Sequence, residues 1–208
     1  MSSSRPQKSF LEIVEADFPK SAIVVMCGLP ATCKTWAATL IAERHGYKHL
    51  RTDLIRKEVL KDEDIFDEKV ASDIEKRQRI YEVMFQRAEE IACSEKGVIL
   101  DATFIKQSSR ERAAEIASRY GRPLIMIHTD CTTQVALERI SKRTPDNYES
   151  NAISEQAYYN NLKAFEPVDI EALKKRFPLL RLRYLHVETS KSDPDKWLIL
   201  ADVMEGIK

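Results

Sequence analysis

The sequence has no apolar run that approaches the roughly 18 residues of a membrane-spanning helix, and its first residues, MSSSRPQKSF, lack the apolar core of a signal peptide. We therefore expect a cytoplasmic protein with no membrane partner, whose residues 1–10 are disordered. The chain also lacks net charge, because Lys plus Arg and Asp plus Glu both number 33. Non-specific nucleic-acid binders usually carry a basic excess, so this balance disfavours that class without excluding a local basic groove.

The four cysteines lack the spacing of a metal site, and the chain has no internal repeat, low-complexity stretch or clear linker. Reduced thiols in a cytosolic protein explain such cysteines most simply. A chain of 208 residues, 43% hydrophobic and 32% charged, suits one folded domain. We predict a single domain over residues 11–208.

Five short apolar runs alternate with helical patterns, which predicts an α/β fold with a parallel sheet and right-handed crossovers. The first run lacks the polar–apolar alternation of a half-exposed strand, as is typical of a buried parallel strand. The runs are SAIVVMC (21–27), YKHLR (47–51), GVILD (97–101), RPLIMIHTD (122–130) and LRYLHVETS (182–190).

Capping residues and helical spacing predict the helices between these runs. Gly46 is placed to end the helix KTWAATLIAERHG, and a helical pattern extends from about Asp67 to Lys96. The segment SSRERAAEIASRYG (108–121) predicts a helix with a serine cap. Pro194 suits the first position of a C-terminal helix, DPDKWLILADVMEG (193–206).

The segment GLPATCKT (28–35) follows the first strand and opens the first long helix. It matches the phosphate-binding pattern G-x-x-x-x-G-K-[ST] (Walker A) at Gly28, Lys34 and Thr35. In such a loop, backbone N–H groups and a helix N-terminus converge on phosphate oxygens. Lys34 would reach the β- and γ-phosphates and the Thr35 hydroxyl would ligate Mg²⁺. An ordinary strand–turn–helix connection is the alternative. We predict an ATP-binding loop made of Gly28, Leu29, Pro30, Ala31, Thr32, Cys33, Lys34 and Thr35.

Cys33 occupies the position that is normally the second glycine of this pattern. If that position demands positive φ, a non-glycine residue there costs on the order of 1–2 kcal/mol. Small shifts of Lys34 would slow phosphoryl transfer, since the reaction depends on positioning. The nearby lysine and helix N-terminus would lower the thiol pKa, so a redox-sensitive site is one interpretation and a tolerated substitution is the other.

Two acidic residues follow predicted strands at the edge of the sheet where α/β proteins bind ligands. Asp101 ends a buried strand and can hold Mg²⁺, and a turn or helix-capping role is the alternative. Asp53 lies three residues before Arg56, so a helical turn would point both at the same edge. The carboxylate could accept the proton of an attacking hydroxyl while the guanidinium grips the transferring phosphate. A surface ion pair is the alternative for this pair.

The segment ERISKRTPDNYES carries Arg139 and Arg143 one helical turn apart. Arginines that close over the transferring phosphoryl group would stabilise its charge, and a guanidinium can stack on adenine. We predict a lid around residues 139–155. A solvated basic helix end is the alternative.

These motifs, in this order, resemble the small P-loop kinases that include polynucleotide kinases, zeta toxins and many AAA-type predicted kinases. The resemblance covers roughly residues 21–190 and includes the segment FEPVD (165–169). It implies a P-loop NTPase three-layer α/β/α sandwich with five parallel strands in the order 2-3-1-4-5. It also implies the following roles: Asp53 serves the acceptor hydroxyl, Arg56 the scissile phosphate, Arg143 the phosphates and Arg139 the base.

The resemblance and the motifs together predict a kinase that transfers the γ-phosphoryl group of ATP to a hydroxyl, with ATP and Mg²⁺ as cofactors. The expected catalytic residues are Lys34, Asp53, Arg56 and Arg143, and the expected metal ligands are Thr35 and Asp101. Zero net charge and the acidic patch 61–68, expected near the acceptor, favour a small-molecule acceptor. The basic cluster KKRFPLLRLR (174–183) keeps a 5′-hydroxyl polynucleotide kinase open. Because Cys33 replaces a glycine, a non-catalytic ATP-binding regulatory protein stays open as well.

Overall fold

The computed structural model describes residues 9–16, 18–67, 70, 73–94, 96–144 and 152–206. Six strands within these ranges belong to one sheet. They are β1 Ile23–Cys27, β2 Lys48–Arg51, β3 Val98–Asp101, β4 Leu124–Asp130, β5 Leu182–Glu188 and β6 Leu198–Glu205. The spatial order is β2-β3-β1-β4-β5-β6.

The first five strands are parallel and confirm the predicted order 2-3-1-4-5. The sixth strand pairs antiparallel with β5 and was not predicted. In a parallel sheet all carboxyl ends meet at one edge, so the loops after β1, β2, β3 and β4 gather there. This edge carries every segment that the sequence analysis assigned to the site.

Helices connect the strands and cover both faces of the sheet. They are α1 Phe10–Ala16, α2 Lys34–His45, α3 Thr52–Val59, α4 Ile74–Cys93, α5 Gln107–Arg119, α6 Thr133–Ser141, α7 Glu155–Ala164 and α8 Ile170–Arg176. Gly46 ends α2 with φ 67°, and its N–H donates to the Ala42 carbonyl, which confirms the predicted cap.

The central strand β1 shows why the fold has three layers, because all five of its residues are buried. Ile23, Val25 and Cys27 belong to a core shared with α4 and α5, whereas Val24 and Met26 pack with α1 and α2 on the other face. Since successive strand side chains point to opposite faces, a strand that is apolar at every position must be covered on both sides.

The predicted C-terminal helix over 193–206 is wrong. Pro194 does open a helical turn, Pro194–Lys196, but β6 begins at Leu198. Within β6, Ile199 is buried between exposed Leu198 and Leu200, an alternation that suits a strand. The strand also places Asp202 beside Arg183 of β5, with N–O distances of 2.9 and 2.8 Å. Pairing with β5 therefore outweighs the local helix-start signal.

Two boundaries also differ from the predictions. Phe10, assigned to a disordered segment, begins α1 and is fully buried, while residues 1–8 lie outside the described residues. The described helix in the region predicted from Asp67 begins at Ile74, where the Asp73 side chain caps it by accepting from the Lys76 N–H, while residues 68, 69, 71 and 72 lie outside the described residues. Of the predicted lid, residues 145–151 lie outside the described residues, and one domain over 11–208 stays a prediction.

The serine cap predicted for α5 is replaced by a distant acid. The residue before the helix is Lys106, which makes no side-chain cap, and the Glu166 carboxylate accepts from the Gln107 N–H at 2.7 Å. Glu166 belongs to the FEPVD segment, so this segment caps the N-terminus of α5 although it lies more than 50 residues later in the chain. A carboxylate there also meets the positive end of the helix dipole.

A buried arginine fastens the same segment to the core. Arg110 of α5 is fully buried, and its guanidinium donates to the carbonyls of Phe104, Glu166 and Pro167 at 2.8, 2.8 and 2.9 Å. The guanidinium also lies over the Phe165 ring, 5.0 Å from its centroid. A buried charge is tolerable only when its donors are satisfied, so Arg110 and the FEPVD backbone depend on each other.

Candidate active site

The loop 28–35 joins β1 to α2 in a backbone conformation with two left-handed residues. Ala31 has φ 65° and Cys33 has φ 60° and ψ 21°, so the position of the missing glycine does demand positive φ. Cys33 adopts that conformation at a cost of about 1–2 kcal/mol, and helix α2 still begins at Lys34. The phosphate-loop geometry is therefore present despite the cysteine.

Gly28 is required for a different reason, close contact with β4. Its φ is 137°, and a Cβ atom there would lie 2.2 Å from the Thr129 carbonyl oxygen. Beside it, the hydroxyls of Thr32 and Thr129 are hydrogen-bonded at 2.8 Å. These contacts fix the start of the loop against the neighbouring strand.

Lys34 is the buried cation of the loop. Its ammonium donates to the Leu29 carbonyl at 2.6 Å, which folds the loop around it. Burial lowers the pKa of Lys34, and the nearby Asp101 carboxylate partly opposes that change. A negative ligand in the loop would act in the same direction as Asp101 and favour the charged ammonium.

The Cys33 thiol does not have the lowered pKa that the sequence suggested. Burial raises the pKa of Cys33, and the positive charges of Arg139 and Lys34 offset only part of that rise. The thiol packs beside the core formed by α1, α2 and the sheet. Desolvation thus outweighs the neighbouring cations, which weakens the redox interpretation.

Asp101 ends β3 as predicted and is buried. His49 of β2 donates from Nε2 to its carboxylate at 3.0 Å, and the Arg51 Nε lies 3.9 Å from the same oxygen. The sequence analysis missed both partners, because β2 and β3 become neighbours only in the folded sheet. Since the carboxylate is held by β2, it has a fixed orientation toward the cleft.

Asp53 and Arg56 lie on α3, directly after β2, and both line the same cleft as the phosphate loop. Burial lowers the pKa of Lys34, and the Asp53 charge, like that of Asp101, opposes part of this change. Both residues therefore line the cleft at the edge of the sheet that the sequence predicts, and the Asp53 charge reaches the loop.

Arg139 and Arg143 reach the cleft from α6 and from the residues just after it. Arg139 donates to the carbonyls of Ala31 at 3.0 Å and Thr189 at 2.6 Å, so it joins the phosphate loop to the chain after β5. Arg143 donates to the Ala152 carbonyl at 2.9 Å. A contact of Arg139 with a base stays a prediction.

One cleft of about 830 Å³ brings the predicted residues together. Gly28 and Leu29 belong to the loop but are not among the residues that line the cleft. None of the described residues of the acidic patch, 61–67, lines the cleft either, contrary to expectation, and Glu63 pairs instead with Lys76. The predicted residues that line it are Pro30, Ala31, Thr32, Cys33, Lys34, Thr35, Asp53, Arg56, Asp101, Arg139 and Arg143.

The cleft has further lining residues that sequence reasoning missed. Trp36 is 43% exposed and contacts Trp197 edge-to-face, with ring centroids 5.0 Å apart. Arg77 and Tyr81 are one turn apart on α4, and the Tyr81 oxygen accepts from the Phe104 N–H at 3.1 Å. Their four-residue spacing shows a shared helix face, but only the packing of α4 on α3 shows that this face meets the cleft.

The donors present fit Mg²⁺. Thr35 and Asp101 offer a hydroxyl and a carboxylate to the cleft, and Mg²⁺ takes oxygen ligands, usually one or two from protein with the rest from phosphates and water. The described residues contain no cluster of three or more His, Cys, Asp or Glu side chains that could hold a metal by themselves. The site would therefore suit a metal carried in with a nucleotide better than a resident one.

A family model described as an AAA domain matches residues 23–168, from the first strand to the FEPVD segment. The chain belongs to this AAA domain family. The predicted resemblance to the small P-loop kinases is thus confirmed, and the phosphate loop, Asp53, Asp101 and Arg143 all fall within the matched region. No curated protein matches the chain.

Solved structures share the fold of this AAA domain protein. A sugar kinase from Janibacter sp. HTCC2649 has a TM-score of 0.61 at 16% identity, over 85% of this chain and 89% of that one. A gluconokinase from Sinorhizobium meliloti 1021 has a TM-score of 0.56 at 20% identity, over 83% and 84%. A protein from Chloroflexus aurantiacus j-10-fl has a TM-score of 0.54 at 22% identity, over 85% and 91%. At these identities the likeness is one of fold.

In the described part of the chain, no helix combines the length and the apolar character needed to cross a bilayer.

Proposed function

We propose that the protein is a cytoplasmic kinase that transfers the γ-phosphoryl group of Mg·ATP to a hydroxyl of a small molecule. The observation that carries this proposal is one cleft that is lined by Lys34, Thr35, Asp53, Arg56 and Asp101 together. A phosphate loop alone indicates nucleotide binding. A carboxylate and a guanidinium that line the same cleft supply what a second substrate needs.

Each residue has a role that its position supports. Asp53 accepts the proton of the acceptor hydroxyl while the oxygen of that hydroxyl forms a bond to the γ-phosphorus. The bond from that phosphorus to the β–γ bridging oxygen breaks, and ADP is released. Lys34, Arg56 and Arg143 bind the phosphoryl oxygens, whose negative charge spreads in the transition state. Mg²⁺, held by Thr35 and Asp101, would neutralise part of the phosphate charge when bound.

Two observations support a small acceptor over a polynucleotide. The structures reported above include a sugar kinase and a gluconokinase, and the names of both proteins refer to small-molecule acceptors. The basic cluster 174–183 is largely paired with acids, because Lys174 contacts Glu171 and Glu205, and Arg176 contacts Glu111. Arg183 pairs with Asp202 in the same region. Paired cations release few counterions from a nucleic acid, so this cluster is a poor phosphate-backbone groove.

The second candidate is a non-catalytic ATP-binding protein that regulates a partner. The strained left-handed conformation of Cys33 favours it, because a small displacement of Lys34 would spare binding and slow transfer. Replacing Cys33 with Gly would remove both the strain and the thiol. A large gain in turnover for Cys33→Gly, from a wild-type rate near zero, would support the regulatory candidate.

The kinase proposal is tested with purified protein, Mg·ATP and reducing agent. ATP binding is measured by calorimetry, and phosphoryl transfer by mass spectrometry with sugars, sugar acids, alditols and 5′-hydroxyl oligonucleotides. We expect binding and transfer to a small alcohol. Absence of Mg·ATP binding would contradict the proposal, and transfer to oligonucleotides alone would replace the small acceptor with a polynucleotide.

A further inference from the structure

Arg77 lines the cleft but has no role in the nucleotide chemistry above. It lies in the first turn of α4, is half-buried, and is one turn before Tyr81 on the same face. Among the described residues its guanidinium has neither an ion pair nor a hydrogen bond. A half-buried guanidinium without a protein partner is able to bind an anion, because its planar donors match carboxylate or phosphate oxygens.

The sheet topology places Arg77 at the acceptor end of the cleft. The phosphate loop follows the central strand β1, and Arg139 and Arg143 follow β4 on one side of it. On the other side lie β3 and then β2, the strand that leads into α3 with Asp53 and Arg56. Because α4 packs against α3, Arg77 lies on the side of the proposed base and away from the Arg139 side of the loop.

The charge of the cleft exceeds what the nucleotide needs. The described lining residues include only three acids, Glu43, Asp53 and Asp101. The cations number seven: Lys34, Arg51, Arg56, Arg77, Arg139, Lys142 and Arg143. Bound Mg²⁺ already neutralises part of the triphosphate charge, so the remaining positive excess is suited to a second anion.

We infer that the acceptor carries an anionic group, a carboxylate or a phosphate, in addition to the hydroxyl that is phosphorylated, and that Arg77 binds this group. The inference rests on the proposed kinase function and names its substrate class. The anion takes no part in bond making; it fixes the acceptor so that the hydroxyl faces Asp53. A neutral polyol of the same length would leave Arg77 unpaired and bind more weakly.

Matched acceptors test the substrate class. Gluconate, glucitol 6-phosphate and neutral glucitol have the same carbon number, and four- and five-carbon sets repeat the comparison. We expect transfer from Mg·ATP to an anionic member at least 10-fold faster than to its neutral partner, and the preferred member distinguishes carboxylate from phosphate. Equal or faster transfer to a neutral polyol would overturn the inference and leave the kinase proposal intact.

Two arginine variants on the same helix test the role of Arg77. Arg77→Ala should raise KM for the anionic acceptor about 10- to 100-fold, the loss of a charge-assisted contact, with ATP affinity unchanged. Arg79→Ala is the matched control, because Arg79 is exposed on α4 and does not line the cleft. The Arg77 variant should also lose the preference over the neutral polyol.

The possible failures are separable. An anionic acceptor whose KM is unchanged in Arg77→Ala would overturn the role of Arg77. ATP binding without transfer to any anionic acceptor of the three sets would overturn the inferred substrate class. Loss of ATP binding in the wild-type protein would overturn the kinase proposal itself.

Discussion

At the scale of single residues, a substitution of Asp53 distinguishes the kinase proposal from a non-catalytic nucleotide-binding protein. Asp53→Asn keeps the size of the side chain and removes the proton acceptor, so we expect ATP affinity to change little and the transfer rate to fall roughly 10²- to 10⁴-fold. Lys34→Ala should weaken both binding and rate, since the buried ammonium serves the phosphates throughout. Steady-state kinetics and calorimetry measure both. A rate within a few-fold of wild type for Asp53→Asn would contradict its role as the base and leave it only the role of an acidic residue in the first turn of α3.

Gly28 gives a prediction about stability, because two constraints act on it at once. In Gly28→Ala the new Cβ would meet the Thr129 carbonyl at 2.2 Å in a backbone with φ 137°. We expect a loss of about 3 kcal/mol or more in the free energy of unfolding, from overpacking plus backbone strain.

Gly46→Ala is the matched control for that change. Its φ is 67°, and a Cβ there meets nothing within 4 Å, so only the left-handed conformation costs energy, about 1–2 kcal/mol. Urea unfolding of both variants decides the matter. Equal losses would mean that the contact with β4 relaxes and that strain alone acts on Gly28.

At the scale of elements, the contact between α5 and the FEPVD segment depends on one side chain. Arg110→Met keeps the apolar stem and removes the donors to the buried Phe104 carbonyl and to the partly buried hydrogen bonds with the Glu166 and Pro167 carbonyls. We expect a loss of about 3 kcal/mol or more in the free energy of unfolding. Arg112→Met, on the same helix, removes only partly exposed ion pairs with Glu89 and Glu115 and should cost at most about 1 kcal/mol. Similar losses in thermal or urea unfolding would contradict a special role for Arg110.

His128 makes the pairing of β4, β5 and the FEPVD segment sensitive to acid. Its ring lies between Phe165 and His186, with centroids 5.5 and 4.4 Å away, and its Nδ1 shares a hydrogen bond of 3.0 Å with the Tyr184 hydroxyl. Burial, together with the nearby His186 and Arg110, lowers the pKa of His128 to about 3. The folded state thus keeps this ring neutral across the range in which an unfolded histidine takes up a proton.

Proton uptake by the unfolded chain makes the folded state less stable in acid. Between the ordinary histidine pKa of about 6.5 and a pH near 3, the unfolded chain binds a proton that the folded chain does not. The free energy of unfolding therefore decreases as the pH is lowered through this range. One such group contributes at most about 1.4 kcal/mol per pH unit. His128→Gln should flatten the decline in urea-unfolding free energy between pH 7 and pH 5. Identical pH profiles for the two proteins would contradict the prediction.

At the scale of the whole molecule, the sequence predicts the parts of the fold that local pattern determines. The apolar run of β1, the glycine cap of α2 and the phosphate loop are all read from adjacent residues. The predicted strand order came with the family resemblance and not from spacing.

What the sequence could not predict depends on contacts between distant residues. The last strand was missed because its pairing with β5 decides its conformation, and the cap of α5 because its acid comes from the FEPVD segment. In the site, His49 and Arg77 were missed for the same reason: one meets Asp101 across two strands, and the other reaches the cleft only through helix packing. The raised pKa of Cys33 followed from burial, which the sequence does not show.

The placement of the tryptophans gives the protein an internal optical probe. The chain has two tryptophans, Trp36 and Trp197, and both line the cleft with their rings 5.0 Å apart. All tryptophan fluorescence of the protein therefore originates at the proposed nucleotide site. Mg·ATP should change its intensity or emission maximum in a saturable way, and Trp36→Phe should remove most of that change because Trp36 is the more exposed ring. An emission spectrum unaffected by saturating Mg·ATP would mean that the nucleotide does not approach these rings.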